Sequence, residues 1–192
     1  MRVFVLSPQR CGSVSFSQAC KNIKNFTSGH ETREELEINY PDNHIEIDNR
    51  LVFFLGRIGQ IYGNDPIYVY LKRNPEKVAN SCLNRYNKGI MRAYHKRILL
   101  FKPNATKFEV CLDYVKTVNS NIEYFLKDKT KRMEVNVENF EEDFTKFWNF
   151  IKAEGNLQQA LKDLDVKHNA SKKYKIDYIK NSIYKFFGNK IN

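Results

Sequence analysis

Residues 2–16 constrain this chain more than any other stretch. Arg2-Val3-Phe4-Val5-Leu6 is a short apolar run, ended by Ser7-Pro8. Gln9-Arg10-Cys11-Gly12 follows, then Ser13-Val14-Ser15-Phe16 with its hydroxyl side chains. The order reads as a buried strand over 2–7, a tight loop, and a helix over 13–24. A loop at a helix N-terminus binds anions, because the first turn leaves backbone N–H groups unpaired and the dipole is positive there. A phosphate or sulfate ligand is therefore the first expectation.

The rest of the chain repeats the strand–helix alternation. Residues 26–43 read as loop-rich, and His44-Ile45-Glu46-Ile47-Asp48 alternates like a short strand. Leu51, Phe54, Leu55, Ile58 and Ile61 recur at helical spacing over 50–62, with Asp48 or Asn49 as cap. Ile67-Tyr68-Val69-Tyr70-Leu71 is the clearest strand, and Asn74-Pro75 opens a helix with proline in its first turn. A helix or helical turn is expected over 90–101, helices over 106–127, 139–152, 156–163 and 175–187, and a strand over 132–137. Such alternation predicts a three-layer α/β/α arrangement, a mostly parallel sheet covered on both faces, in one domain over 1–192. Ligands of such sheets bind at the carboxyl ends of the strands. The Pro8–Ser15 loop, the Arg73 region and the segment after Val137 all fall at that edge.

Composition narrows the class. Hydrophobic residues make up 42% of the 192, which supports a packed core rather than disorder. No apolar run approaches bilayer length, and no signal-peptide pattern precedes the first strand. A cytoplasmic protein with no membrane span is expected. Cys11, Cys20, Cys82 and Cys111 form no C-x-x-C pair and have no histidine at zinc-ligand spacing, so free thiols and no metal are expected. Cys11 reads either as a small loop residue or as a thiol whose pKa the helix N-terminus lowers. The net charge of +10 suits an anionic substrate, nucleic acid or an acidic partner.

Two constellations carry chemistry. The opening loop is not a Walker A loop, since the Gly-Lys-Ser/Thr end and its Mg²⁺-holding hydroxyl are missing. Arg10 supplies the charge instead, Ser13 and Ser15 supply hydroxyls, and the amides from Gly12 to Ser15 supply further donors. In the second, a strand ends at Arg73, and Ser81 lies eight residues later on the next helix. Planar guanidinium groups match phosphate oxygens, so Arg73 with Ser81 suits a second phosphate.

Together these motifs resemble the sulfotransferase family that uses 3′-phosphoadenosine 5′-phosphosulfate (PAPS). Arg10-Cys11-Gly12-Ser13-Val14 is similar to that family's [RK]-[ST]-G-[ST]-[ST] loop, departing at Cys11 and Val14. Arg73-Asn74-Pro75 with Ser81 matches its R-[ND]-P-x-x-x-x-x-S motif. Glu138 and Phe140 also fit the family's later strand-to-helix turn. The resemblance spans most of 2–150 and is weakest at 26–60 and 90–130, where acceptor recognition would lie.

The resemblance implies a P-loop NTPase-like sulfotransferase architecture. It implies an enzyme that takes PAPS as donor, releases 3′,5′-ADP and uses no metal. Arg10, Cys11, Gly12, Ser13, Val14 and Ser15 would hold the phosphosulfate, and Arg73 and Ser81 the 3′-phosphate. Lys172 falls where relatives return a basic loop; its alternative is a solvated face. Arg10 would act on the developing charge as a preorganised donor. A hydroxyl acceptor wants a general base. Glu31 is favoured, with His30 as neighbour or substitute, and His44 or Asp48 is the option on the next strand. Asp48-Asn49-Arg50 is a further candidate for the acceptor pocket. The acceptor is read as a small molecule, glycan or lipid, with nucleic acid disfavoured and the oligomeric state open. The alternatives are a non-catalytic nucleotide- or polyanion-binding protein on this fold, and an atypical phosphotransferase.

Overall fold

The computed structural model describes residues 1–33, 35–100 and 104–165. The expected helix over 175–187 and Lys172 lie outside them. Five parallel strands form one sheet: β1 (Arg2–Leu6), β2 (Thr27–His30), β3 (His44–Ile47), β4 (Ile67–Lys72) and β5 (Arg132–Asn136), in the order β2-β3-β1-β4-β5. Strand β1 pairs with β3 on one side and β4 on the other, with Val3 opposite both Ile45 and Ile67. The central strands are buried on both faces, as parallel sheets require. Phe4, Val5, Leu6, Ile45, Ile47, Tyr68, Val69 and Leu71 are fully buried.

Helices flank the sheet in two groups. Helix α1 (Ser13–Cys20) packs with α6 (Phe140–Phe150) and α7 (Leu157–Asp165). Phe16 is the hinge of that packing, with ring centroids 5.2 Å from Phe144 and 5.0 Å from Phe147. The other group contains α2 (Leu55–Tyr62), α3 (Pro75–Leu83) and α5 (Lys107–Leu126), and Tyr68 of β4 meets Phe125 of α5 edge-on at 5.2 Å. Between α3 and α5 lie α4 (Gly89–Ala93) and one π-helical turn, Tyr94–Ile98. Asn74 caps α3 by accepting from the Lys77 N–H, and Thr106 with Glu109 forms a reciprocal capping box on α5.

One local expectation needs correction. The segment read as loop contains strand β2, whose Thr27-Ser28-Gly29-His30 lacks the apolar alternation that marks a strand. Its pairing with β3 comes from the sheet, which supplies hydrogen bonds that the sequence does not advertise. In addition, the polar residues of β3 do not face water. Glu46 is fully buried and accepts from Thr32 N at 2.9 Å, from Thr32 Oγ1 at 2.6 Å and bonds His44 Nε2 at 3.0 Å. A side chain at Gly29 would come within 2.8 Å of the Glu46 carboxylate, so only glycine leaves room for it. Burial alone would raise the Glu46 carboxyl; the hydrogen bonds from His44 and Thr32 outweigh it and hold the group below its ordinary value.

Candidate active site

The loop between β1 and α1 turns on two residues with left-handed backbone, Arg10 at φ 69° and Gly12 at φ 91°. Gly12 is the N-cap of α1, and its Phe16 N–H to Gly12 carbonyl bond of 3.0 Å starts the helix. A Cβ at Gly12 would sit 3.2 Å from Val137 Cγ2, so the turn that follows β5 presses directly on the loop. No side chain caps the first turn of α1, and no acidic residue lies in it. The geometry is that of an anion-receiving helix terminus.

Side chains from β2, from α3 and from just after β4 converge on this loop. Arg10 Nε donates to Ser81 Oγ at 3.1 Å. Arg73, at the end of β4, donates from NH1 to the Arg10 carbonyl oxygen at 3.1 Å. His30, the last residue of β2, lies with Nε2 3.1 Å from Ser13 Oγ. Glu138 accepts from the Asn74 N–H at 3.1 Å and from Lys77 Nζ at 3.3 Å, fastening the β5 turn to the start of α3. Phe140 stacks on Phe16 at 6.2 Å. The two sequence motifs therefore meet, although they are far apart along the chain.

Of the two readings of Cys11, the structure agrees with the small loop residue and not with a thiol of lowered pKa. Its Sγ donates to the Leu71 carbonyl at 3.1 Å inside the sheet, and burial pushes the thiol up. Desolvation overrides the helix dipole because the side chain points away from the helix end. The backbone of Cys11 stays in the loop, while its side chain belongs to the core. All four cysteines are free and buried. Val14 and Ser15 are half-buried.

The base candidates separate. His44 opens β3 opposite Arg2, at the amino edge of the sheet, and its ring bonds Thr27 and Glu46. It is on the wrong edge for the loop, because a strand carries its first residue away from the carboxyl ends. Asp48 is at the correct edge, but it is buried and its carboxylate takes a fork from Arg50, with Nε at 3.0 Å from both oxygens and NH2 at 2.8 Å from Oδ2. Glu31, exposed and at φ 57°, accepts from Asn49 Nδ2. Of these residues, the structure brings His30 to the loop.

Arg85 is a cation near Arg10 that sequence reasoning missed. Burial lowers the Arg10 guanidinium from its ordinary value, and the nearby charges of Arg85 and then Arg73 lower it further. The available signal was its place: Arg85 stands four residues after Ser81, in the turn just beyond the end of α3. Guanidinium groups whose charges act on one another in this way favour a multiply charged anion between them. Among the described residues, no group of three or more His, Cys, Asp or Glu side chains could hold a metal ion. No described helix is long and apolar enough to cross a membrane.

No family model matches the sequence, and no curated protein matches it. Solved structures do. The sulfotransferase domain from the curacin biosynthetic pathway superposes with a TM-score of 0.61 at 13% identity, over 90% of this chain and 80% of that one. Mouse sulfotransferase SULT7A1, complexed with PAP, superposes with a TM-score of 0.59 at 14% identity, over 88% of this chain and 68% of that one. The parallel sheet, its flanking helices and these superpositions agree: this chain has a sulfotransferase-like fold.

Proposed function

We propose that the chain is a PAPS-dependent sulfotransferase, moving a sulfuryl group to an acceptor hydroxyl or amine. One observation carries the reading: Arg10 of the first motif bonds Ser81 of the second, while Arg73 bonds the Arg10 carbonyl. A nucleotide with phosphates at both ends fits this pairing. The loop amides and Arg10 suit its 5′ end, and Arg73 with Ser81 suits its 3′-phosphate. The SULT7A1 structure with PAP supports a nucleotide of this kind.

In this reading the chain's residues have distinct tasks. Arg10 and the amides after Gly12 neutralise charge that develops on the departing phosphate oxygen, as donors fixed before the reaction. Tight positioning of Arg10 by Ser81 and Arg73 reduces the reorganisation that would otherwise oppose transfer. His30 removes the acceptor proton, because its ring is held at Ser13. A second reading, nucleotide binding without transfer, draws on Val14, which lacks the hydroxyl found at that place in the motif.

The test is ligand-dependent thermal stability, since a ligand that binds only the folded state raises its midpoint. Stabilisation by 3′,5′-ADP that exceeds that by ATP is expected. Absence of any shift at millimolar 3′,5′-ADP would sink the proposal. Transfer of labelled sulfate from PAPS to acceptor panels then separates the enzyme from the binder.

A further inference from the structure

At the amino edge of the sheet, opposite the candidate active site, three side chains stand in series. Thr27, the first residue of β2, has Oγ1 2.8 Å from His44 Nδ1. The other ring nitrogen of His44, Nε2, lies 3.0 Å from Glu46 Oε2. Exposure falls along the series: Thr27 is exposed, His44 is 9% exposed and Glu46 is fully buried. A hydroxyl within about 2.6–3.2 Å of a base that a third group orients is the arrangement of an activated nucleophile. The proposed sulfuryl transfer uses none of the three.

Hydrogen-bond chemistry decides which His44 nitrogen holds the proton. Glu46 accepts the Thr32 amide on Oε1 at 2.9 Å and the Thr32 hydroxyl on Oε2 at 2.6 Å. Burial alone would raise its carboxyl, and the bonds from His44 and Thr32 hold it below its ordinary value, so it is a carboxylate at neutral pH. A carboxylate only accepts, and His44 Nε2 therefore carries the hydrogen. In the neutral ring Nδ1 is then a lone pair, and it faces the Thr27 hydroxyl. The Asn43 carbonyl, 3.4 Å from Thr27 Oγ1, is the weaker acceptor for that hydroxyl. Tyr40 stacks on the His44 ring at 5.9 Å with planes 11° apart, which holds the ring in plane.

The backbone sets Thr27 where a reactant can reach it. Its N–H donates to the Asn43 carbonyl at 2.8 Å, and Asn43 turns at φ 51° immediately before His44. Strand register then puts Thr27 opposite His44. β2 is last in the strand order, so no described strand flanks Thr27 on its outer side. His30, at the other end of β2, faces the Arg10 loop, which keeps the two sites at opposite edges of the sheet.

From these observations we infer that Thr27, His44 and Glu46 form a second catalytic site, a hydrolytic one that takes small activated carboxylic esters. Thr27 Oγ1 attacks the ester carbonyl carbon while its proton passes to His44 Nδ1. The bond from that carbon to the alcohol oxygen then breaks, and the proton leaves with the alcohol. Water, deprotonated by the same nitrogen, attacks the acyl-threonine, releases the acid and restores the hydroxyl. Glu46 stabilises the charge that His44 gains in each half. The site stands whether or not the chain transfers sulfate.

The experiment follows release of p-nitrophenol from p-nitrophenyl acetate by the full chain. The folded parent is expected to release it faster than the urea-unfolded chain does. Thr27→Ala and His44→Gln should each lower the rate about tenfold or more. Thr27 is exposed, so its replacement leaves the core intact, and Thr27→Ser should keep the rate because the hydroxyl remains. Acid quenching followed by peptide mass mapping should find acetyl on Thr27. Saturating 3′,5′-ADP should leave the rate unchanged, since the Arg10 loop lies at the other edge. Undiminished release in Thr27→Ala overturns the inference, and so does a parent rate no higher than that of the unfolded chain. Acetyl found elsewhere and not on Thr27 overturns it as well. Suppression by 3′,5′-ADP would put the hydrolysis at the Arg10 loop, with the same consequence.

Discussion

Arg10 and Ser81 touch, Nε to Oγ at 3.1 Å, across 71 residues of sequence. One residue opens the first anion motif and the other closes the second. Because Arg73 also holds the Arg10 carbonyl, any ligand phosphate at either motif meets a guanidinium already fixed by the other. Those contacts join the two motifs.

Arg73→Ala should reduce the 3′,5′-ADP stabilisation. A hydrogen bond to a charged group contributes about 1.5–3 kcal/mol, so affinity should fall by about tenfold or more. Arg73→Lys should recover only part of it, because an ammonium cannot reproduce the planar fork. Titration calorimetry measures both. An undiminished affinity in Arg73→Ala would remove this residue from the site.

Gly12→Ala tests the loop itself. A side chain at φ 91° with a Cβ 3.2 Å from Val137 must strain the backbone or displace the β5 turn. The left-handed conformation alone costs about 1–2 kcal/mol for a residue with a Cβ. Chemical denaturation should show a loss of at least that size.

The thiols should be unreactive in the folded protein. Burial pushes Cys11 up, and it pushes Cys82 and Cys111 up to about 12. Since the thiolate is the nucleophile, a disulfide reagent at pH 8 should react slowly with native protein and rapidly after denaturation. A thiol that reacts fast in the native state would contradict the burial of Cys11 against Leu71.

Glu46 should impose an acid limit on stability. Its carboxyl is held below its ordinary value of 4.5, so its contribution is fully present above that pH and is lost as pH falls through the lower folded value. Unfolding free energy should therefore drop on acidification below about pH 4.5, and less steeply in Glu46→Gln. At neutral pH that variant should lose about 1–3 kcal/mol, the usual cost of disturbing buried polar partners. Urea titrations across this range measure the slope.

His30→Ala and Glu31→Gln divide the base candidates. Loss of a general base lowers turnover by about 10²–10⁴-fold. The His30 contact with Ser13 places the larger loss at His30, with little change in 3′,5′-ADP affinity. Equal activity in both variants would leave neither residue as the base.

Much of the architecture was legible because local signals agreed with the global fold. Pro8 and Gly12 mark the opening turn, Asn74-Pro75 marks a capped helix start, and the apolar runs 2–6 and 67–71 form the central strands. Strand β2 was not legible, since Thr27–His30 gains its strand conformation from pairing with β3. The separation of His30 from His44 was also invisible: only sheet register places one at each edge. Arg85 carries no motif, and its nearness to Arg10 follows from the turn just beyond α3.

The sequence by itself determined the two anion motifs, their order and the alternation that makes a parallel sheet, because residue type and spacing govern turns, caps and periodicity. Only the tertiary structure decided that Cys11 faces the core, that Glu46 is buried on an internal hydrogen-bond network, and that Arg10, Arg73 and Arg85 converge. The reason is physical. A side chain's solvation and its nearby charges depend on neighbours distant in sequence, and packing alone brings those neighbours together.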